Sequence, residues 1–171
     1  PYGAPTSGAG RFMPPAKPAP WTGVRSALAW GFASPQIPSE HWDKDEVAFV
    51  YEWNPGAQGE DCLRLNVWTP GLDNRRRAVM VWLHGGGFSA GSAIEHVAYE
   101  GDHLSEFGDV VVVSVNHRLN ILGYLDLSPF GEKYKNSANA GNADMVAALQ
   151  WVHDNIAAFG GDPENVTIFG Q

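Results

Sequence analysis

Ala78-Val79-Met80-Val81-Trp82-Leu83, followed by His84-Gly85-Gly86-Gly87-Phe88, is the stretch on which the fold turns. Six apolar residues without a polar break are what a strand covered on both faces of a sheet requires. Three glycines directly after it let the chain bend sharply and bare its N–H groups with no Cβ in the way. Strands of this kind belong to parallel sheets, whose ligand sites lie beyond the carboxyl ends of the strands. The glycine bend is therefore the first place to look for chemistry.

On either side of this stretch the pattern is that of an α/β protein. Upstream, Leu63 to Trp68 sets Leu63, Leu65 and Val67 against Arg64, Asn66 and Trp68, the alternation of a strand with one wetter face, and Pro70-Gly71 ends it. The polar run Asp73-Asn74-Arg75-Arg76-Arg77 reads as a solvated loop tip. Downstream, Val110-Val111-Val112-Val113-Ser114-Val115 is β-branched and too short for an independent helix, so it is predicted to be a central strand. Between Asn142 and Phe159 the period changes, with Met145, Leu149, Val152, Ile156 and Phe159 forming one helical stripe and Asp144, Gln150, Asp154 and Asn155 falling elsewhere. Asp144 is placed in the first turn, where the helix dipole favours an anion, and Gly160-Gly161 is the stop signal. Asn165 to Phe169 is a further strand, making strand, helix and strand a crossover unit of parallel strands.

Composition limits the function. The chain has 171 residues, 44% hydrophobic and 18% charged, enough for one domain with a real core. Eleven Lys+Arg against 19 Asp+Glu give a net charge of -8, which repels polyanions and argues against nucleic acid or an anionic membrane as partner. A neutral or cationic small ligand suits such a field better. No apolar run approaches the roughly 20 residues of a membrane-crossing helix. The single cysteine, Cys62, excludes an internal disulfide and an intrachain thiolate cluster. Residues 1–38 hold eight of the 12 prolines, which forbids regular helix and suggests an extended arm laid on the body through Phe12, Trp21 and Trp30. A flexible tail is the other reading of that composition.

Two uses compete for the N–H groups of the glycine bend: cradling the phosphates of a dinucleotide, or stabilising the oxyanion of an acyl-transfer intermediate. Gly85-Gly86-Gly87-Phe88-Ser89-Ala90 satisfies the G-x-G-x-x-[GA] form of the dinucleotide fingerprint. That fingerprint also needs an acid at the end of the next strand, where Asn116 and His117 stand instead. The oxyanion reading needs an HGGG-type loop and, after a later strand, a G-x-S-x-G turn. The first is present, and Gly170-Gln171 makes the opening of the second.

These residues resemble the type-B carboxylesterases, a family that includes cholinesterases and the non-catalytic neuroligins. Glu60-Asp61-Cys62-Leu63-Arg64-Leu65-Asn66-Val67 is similar to the family's N-terminal signature, with Arg64 where an aromatic residue or Thr is usual. Asn116-His117-Arg118-Leu119 is similar to its N-Y-R-L strand end, with His for Tyr. Phe159-Gly160-Gly161-Asp162-Pro163-Glu164-Asn165-Val166-Thr167-Ile168-Phe169-Gly170-Gln171 resembles the approach to its nucleophile. The resemblance implies an α/β-hydrolase fold, with residues 1–171 as the N-terminal part of one catalytic domain whose mostly parallel sheet carries flanking helices. Within it, residues 1–40 would be the Pro-rich arm and 60–171 the sheet core with its oxyanion loop. The nucleophilic serine is expected directly after Gln171, the other triad members further downstream, and the remainder of the polypeptide in another segment or chain.

The implied function is carboxylic ester hydrolysis by serine acyl-enzyme chemistry on a small-molecule ester, without cofactor or metal. A neuroligin-like adhesion or ligand-binding module is the alternative on the same fold. The resemblance assigns the oxyanion N–H groups to Gly86 and Gly87, and substrate contact to Gly85, Phe88 and Trp53. Phe88 reads as a wall of the acyl pocket or as core packing; Trp53 as a cation–π contact or as loop packing. His84 is expected to order the glycine loop, while His41, His96, His103 and His153 lack metal-ligand spacing. His117 is left without a role. Asp43-Lys44-Asp45-Glu46 reads as a solvated face, and the sequon Asn165-Val166-Thr167 as the start of a buried strand and so unused. Two structural ion pairs are implied, Arg11 with Glu60 and Arg118 with Asp144. Family members often bridge the cysteine matching Cys62 to one upstream, where this chain has Ser34, and that tilts the expected location toward the cytoplasm.

Overall fold

The structure is a computed structural model that describes residues 1–37, 54 and 56–170. Trp53, His41 and the cluster Asp43 to Glu46 lie outside the described residues. Four strands form one sheet in the order β1-β3-β2-β4: β1 (Leu65–Trp68), β2 (Arg77–Leu83), β3 (Val111–Val115) and β4 (Gly161–Gly170). β1 runs antiparallel to β3, and β2 is parallel to both β3 and β4. The helix α1 (Asp102–Gly108) links β2 to β3. After β3 come α2 (Asn120–Tyr124) and α3 (Ala140–Asn155), whose end tightens into a 3-10 turn at Ile156–Phe159 before Gly160 reverses the chain. A mixed sheet with helices in its connections is the α/β architecture expected.

β3 is buried at every residue, as the Val-rich run demands of a central strand. Val79 and Val81 of β2 join Val111, Val113 and Val115 of β3 against Ala148, Val152 and Ile156 from the α3 side. Each of these valine and isoleucine side chains removed from water stabilises the fold by about 1.5–3 kcal/mol. The opposite face of β2 is not sealed: Met80 and Trp82 are half-buried, Trp82 against the rings of Tyr99 and Phe169 at 4.9 and 5.0 Å.

Three readings of polarity are corrected. The buried line of α3 runs through Gly141, Asp144, Ala148 and Val152 on to Ile156, leaving Met145 and Leu149 as half-buried flanks. The helix starts at Ala140, so Asp144 lies beyond the first turn and within the core-facing line, because a buried arginine awaits it there. Arg77 is not part of a loop tip. It is the first residue of β2, its side chain 4% exposed and paired with Asp73 and Asp109 at 2.6 Å each, while Arg75 and Arg76 stay in solvent. Asn165 and Thr167 are exposed rather than buried, since β4 stands at the edge of the four-stranded sheet among the described residues.

The N-terminal segment is fastened at its first residues. Tyr2 is buried, and its hydroxyl donates to the Asn116 carbonyl oxygen at 2.7 Å, while Tyr2 N–H and Thr6 N–H donate to Leu63 O and Glu60 O. Arg11 forks onto Glu60, with Nε 2.7 Å from Oε2, in a largely solvated position. Trp21 is 46% exposed with the Arg25 guanidinium over its ring, and Trp30 leans on Trp68 at 6.0 Å. Tyr2, which the composition did not mark out, is thus the buried aromatic of this segment. Helices long and apolar enough to cross a membrane are absent among the described residues.

Candidate active site

The bend after β2 has the backbone that its glycines permit. Gly86 and Gly87 have φ of 110° and 59°, and Phe88 follows at 61°, a left-handed conformation that is strained for a bulky residue. A Cβ at Gly86 would stand 2.1 Å from the Ala90 carbonyl oxygen, so only glycine fits there; at Gly87 nothing lies within 4 Å. The Gly86 carbonyl closes the turn by accepting from Ser89 N–H and Ala90 N–H at 3.0 and 3.2 Å. Among the described residues, the N–H groups of Gly86 and Gly87 donate to no carbonyl or side chain. Two adjacent free donors at the carboxyl end of a parallel strand are suited to an anionic oxygen.

Neighbouring segments hold this bend in place. Gln36 clamps its far end, accepting from Gly91 N–H at 2.7 Å and donating to Gly91 O at 2.9 Å. The segment that follows β3 supports the rest. Asn116 Oδ1 accepts from Ala93 N–H at 2.7 Å, and Asn120 N–H donates to the Phe88 carbonyl at 2.7 Å, holding the strained residue. Between them, Arg118 is buried on Asp144 of α3, with Nε to Oδ2 at 2.8 Å, Nη2 to Oδ1 at 2.7 Å and the Arg118 N–H to Oδ2 at 3.1 Å. Asp144 thereby ties the support to the helix behind the sheet.

His84 behaves as the sequence reading expects, its Nδ1–H donating to the Gly85 carbonyl at 2.8 Å. Its ring is stacked on His117, with centroids 4.9 Å apart and planes 14° from parallel. Burial, then the neighbouring His117, pulls the His84 pKa down to about 4, and burial lowers that of His117 as well. Both rings are therefore neutral around pH 7. Glu95, on the same connection, is held up to about 7 by burial.

Among the described residues Phe88 is 56% exposed and tilts against Tyr124 at 5.2 Å. Gly85, Gly86, Gly87 and Phe88 are consecutive residues of this one bend. The dinucleotide alternative is weakened further, because the pyrophosphate would need a helix opening on the glycines, and turns and a 3-10 segment at Val97–Tyr99 precede α1. Asn116, where an acid was needed, instead spends its amide on Ala93 N–H and the Phe32 carbonyl. Gln36, Asn120 and the role of His117 were missed, because contacts across 30 to 85 positions leave no periodic signal in the chain.

The model of the carboxylesterase family matches residues 1–171, and the chain belongs to that family. It is 45% identical over 171 residues to the para-nitrobenzyl esterase of Bacillus subtilis, covering all of this chain and 33% of that one. An esterase from anaerobic Clostridium hathewayi, described as able to hydrolyse aliphatic aromatic polyesters, superimposes with a TM-score of 0.89 at 55% identity, over 99% of this chain and 33% of its own. Mouse neuroligin-2 is 36% identical over 202 residues, with 23% of its length covered. The chain thus spans about a third of the two esterases. With such neighbours the architecture is that of the α/β-hydrolases.

Proposed function

We propose that this chain contributes the oxyanion hole of a serine carboxylic ester hydrolase. The observation that carries the reading is the pair of N–H groups at Gly86 and Gly87 that donate to nothing among the described residues, held in a strained bend at the carboxyl end of β2. In such a reaction the ester carbonyl oxygen becomes an anion only as the serine oxygen adds, so donors fixed in advance favour the transition state over the substrate. Loss of one donor of this kind costs about 2.7–4 kcal/mol of transition-state stabilisation. Side-chain roles are limited to shape: Phe88 offers an exposed apolar wall beside the donors, suited to an acyl group.

In this reading the serine follows Gln171 and is paired with a histidine and an acid later in the polypeptide, the two parts making one catalytic domain. Residues 1–40 serve as an arm fastened to the body at Tyr2. The substrate is a small uncharged or cationic ester, in keeping with the charge of -8. The test is hydrolysis of p-nitrophenyl acetate by the intact protein encoded by its gene, together with mass spectrometry after a fluorophosphonate. Turnover with a single phosphonylated serine is the expected result. A protein that neither turns over nor takes the label would instead be a binding module on this fold.

A further inference from the structure

We propose that His117 is a positioning residue for this reaction: stacked on His84, it sets the direction in which the Gly86 N–H points. The inference rests on the ester-hydrolase reading above.

β2 and β3 are neighbouring parallel strands in the register Leu83 to Val115, so the chain leaves both side by side. His84 is the first residue past β2 and His117 the second past β3, which brings the two imidazoles face to face. Each ring meets the main-chain carbonyl one residue ahead, His84 at Gly85 O and His117 at Arg118 O, the latter at 3.0 Å. A carbonyl oxygen can only accept, so both rings carry their proton on Nδ1. Among the described residues the buried His84 Nε2 makes no hydrogen bond. One hydrogen bond and one stacked face, with the Gly91 main chain packed against the ring, therefore define the orientation of His84.

That single bond acts on the donor itself. The Gly85 carbonyl and the Gly86 N–H are the two ends of one planar peptide unit. With the carbonyl end tied to His84 Nδ1, the plane cannot rotate, and the N–H end is aimed by the same constraint. His117 in turn is fixed because the next residue, Arg118, is buried on Asp144 and its main-chain N–H donates to the same carboxylate. The chain of contact runs from α3 through Asp144, Arg118, His117 and His84 to the Gly85–Gly86 peptide. None of the four side chains needs to touch the substrate to act on it.

The test compares wild type, His117→Ala and His117→Phe in the intact protein, by kinetics on p-nitrophenyl acetate, thermal unfolding, and hydrogen–deuterium exchange of the peptide spanning the glycine bend. His117→Ala should lower kcat by about ten- to a hundredfold, the usual cost of a small misplacement remote from the reacting atoms, with KM nearly unchanged. His117→Phe keeps a flat ring against His84 and should recover most of kcat. Exchange at Ser89 and Ala90, whose N–H groups close the turn, should quicken in His117→Ala and not in His117→Phe. Wild-type kcat in His117→Ala would overturn the proposal, as would a loss that follows the unfolding temperature and is not recovered by phenylalanine. If wild type hydrolyses no ester, the ester-hydrolase reading fails, and exchange alone then judges the stack: unchanged protection in His117→Ala overturns it.

Discussion

Arg118 and Asp144 form a two-pronged ion pair in which the side chains are 1% and 0% exposed, joining the strand end that supports the glycine bend to the second turn of α3. A charge placed there without its partner has neither water nor counter-ion. Asp144→Asn or Arg118→Met should each cost about 3–5 kcal/mol of stability, read from urea denaturation. The double variant Arg118→Met with Asp144→Leu should recover much of that loss, because it strands no charge. Arg11 and Glu60 make the same fork in solvent, and Arg11→Ala should change stability far less. Equal losses for the two pairs would refute this assignment of burial.

The two glycines proposed to hold the oxyanion should respond differently to side chains. At Gly86 even a methyl group meets the Ala90 carbonyl oxygen, so Gly86→Ala should lower both the unfolding temperature and kcat. At Gly87 the space is open, and the φ of 59° costs an unbranched L residue about 1–2 kcal/mol and a β-branched one more, still less than the stability of a typical domain. Gly87→Val should therefore stay folded while kcat falls at least about a hundredfold, as when an oxyanion donor is obstructed. Full activity in a folded Gly87→Val protein would remove Gly87 from the site.

Stability should rise with pH between about 4 and 6.5 on account of His84. Its native pKa is pushed down to about 4 by burial and by the facing His117, so the unfolded chain binds the extra proton first across this window. Stability is then lost as pH falls through it. His117, lowered in the same direction, adds to the slope. Urea unfolding at pH 5 and pH 7 should show a smaller pH dependence in His84→Phe than in wild type.

Glu95 works in the opposite sense. Burial raises its native pKa to about 7, so the native state holds the proton that the unfolded chain has already released above about 4.5. Its contribution to stability falls as pH rises from about 4.5 to 7. Glu95→Gln should gain stability relative to wild type at pH 8 and show little difference at pH 4, measured by the same unfolding experiment.

Cys62 is buried, and burial pushes its thiol pKa up to about 12 against the opposing effect of the neighbouring Ser34 hydroxyl. It should react slowly with Ellman's reagent until the protein unfolds. Ser34→Cys places a second thiol at that contact. Oxidised, it should form an intrachain disulfide worth about 3 kcal/mol on loop-entropy grounds. The gain is partly offset, because the Ser34 hydroxyl also accepts from Leu119 N–H at 3.1 Å. Two titratable thiols in the oxidised, unfolded variant would refute the proximity.

What could be read from the chain alone was whatever depends on near neighbours. The apolar run 78–83, the valines from 111 and the stop at Gly160 declare strand, strand and helix end because backbone preference and covering by a sheet act within a few residues. The glycine bend, too, was legible, since positive φ selects its residue type locally. Polar residues in the core were not. Asp144 and Arg77 look like surface charges in any local window, and each is buried only because a partner arrives from elsewhere, Arg118 in one case, Asp73 and Asp109 in the other. The His84–His117 stack likewise required β2 and β3 to lie side by side, a register decided by the packing of the whole sheet and not by either strand's own residues.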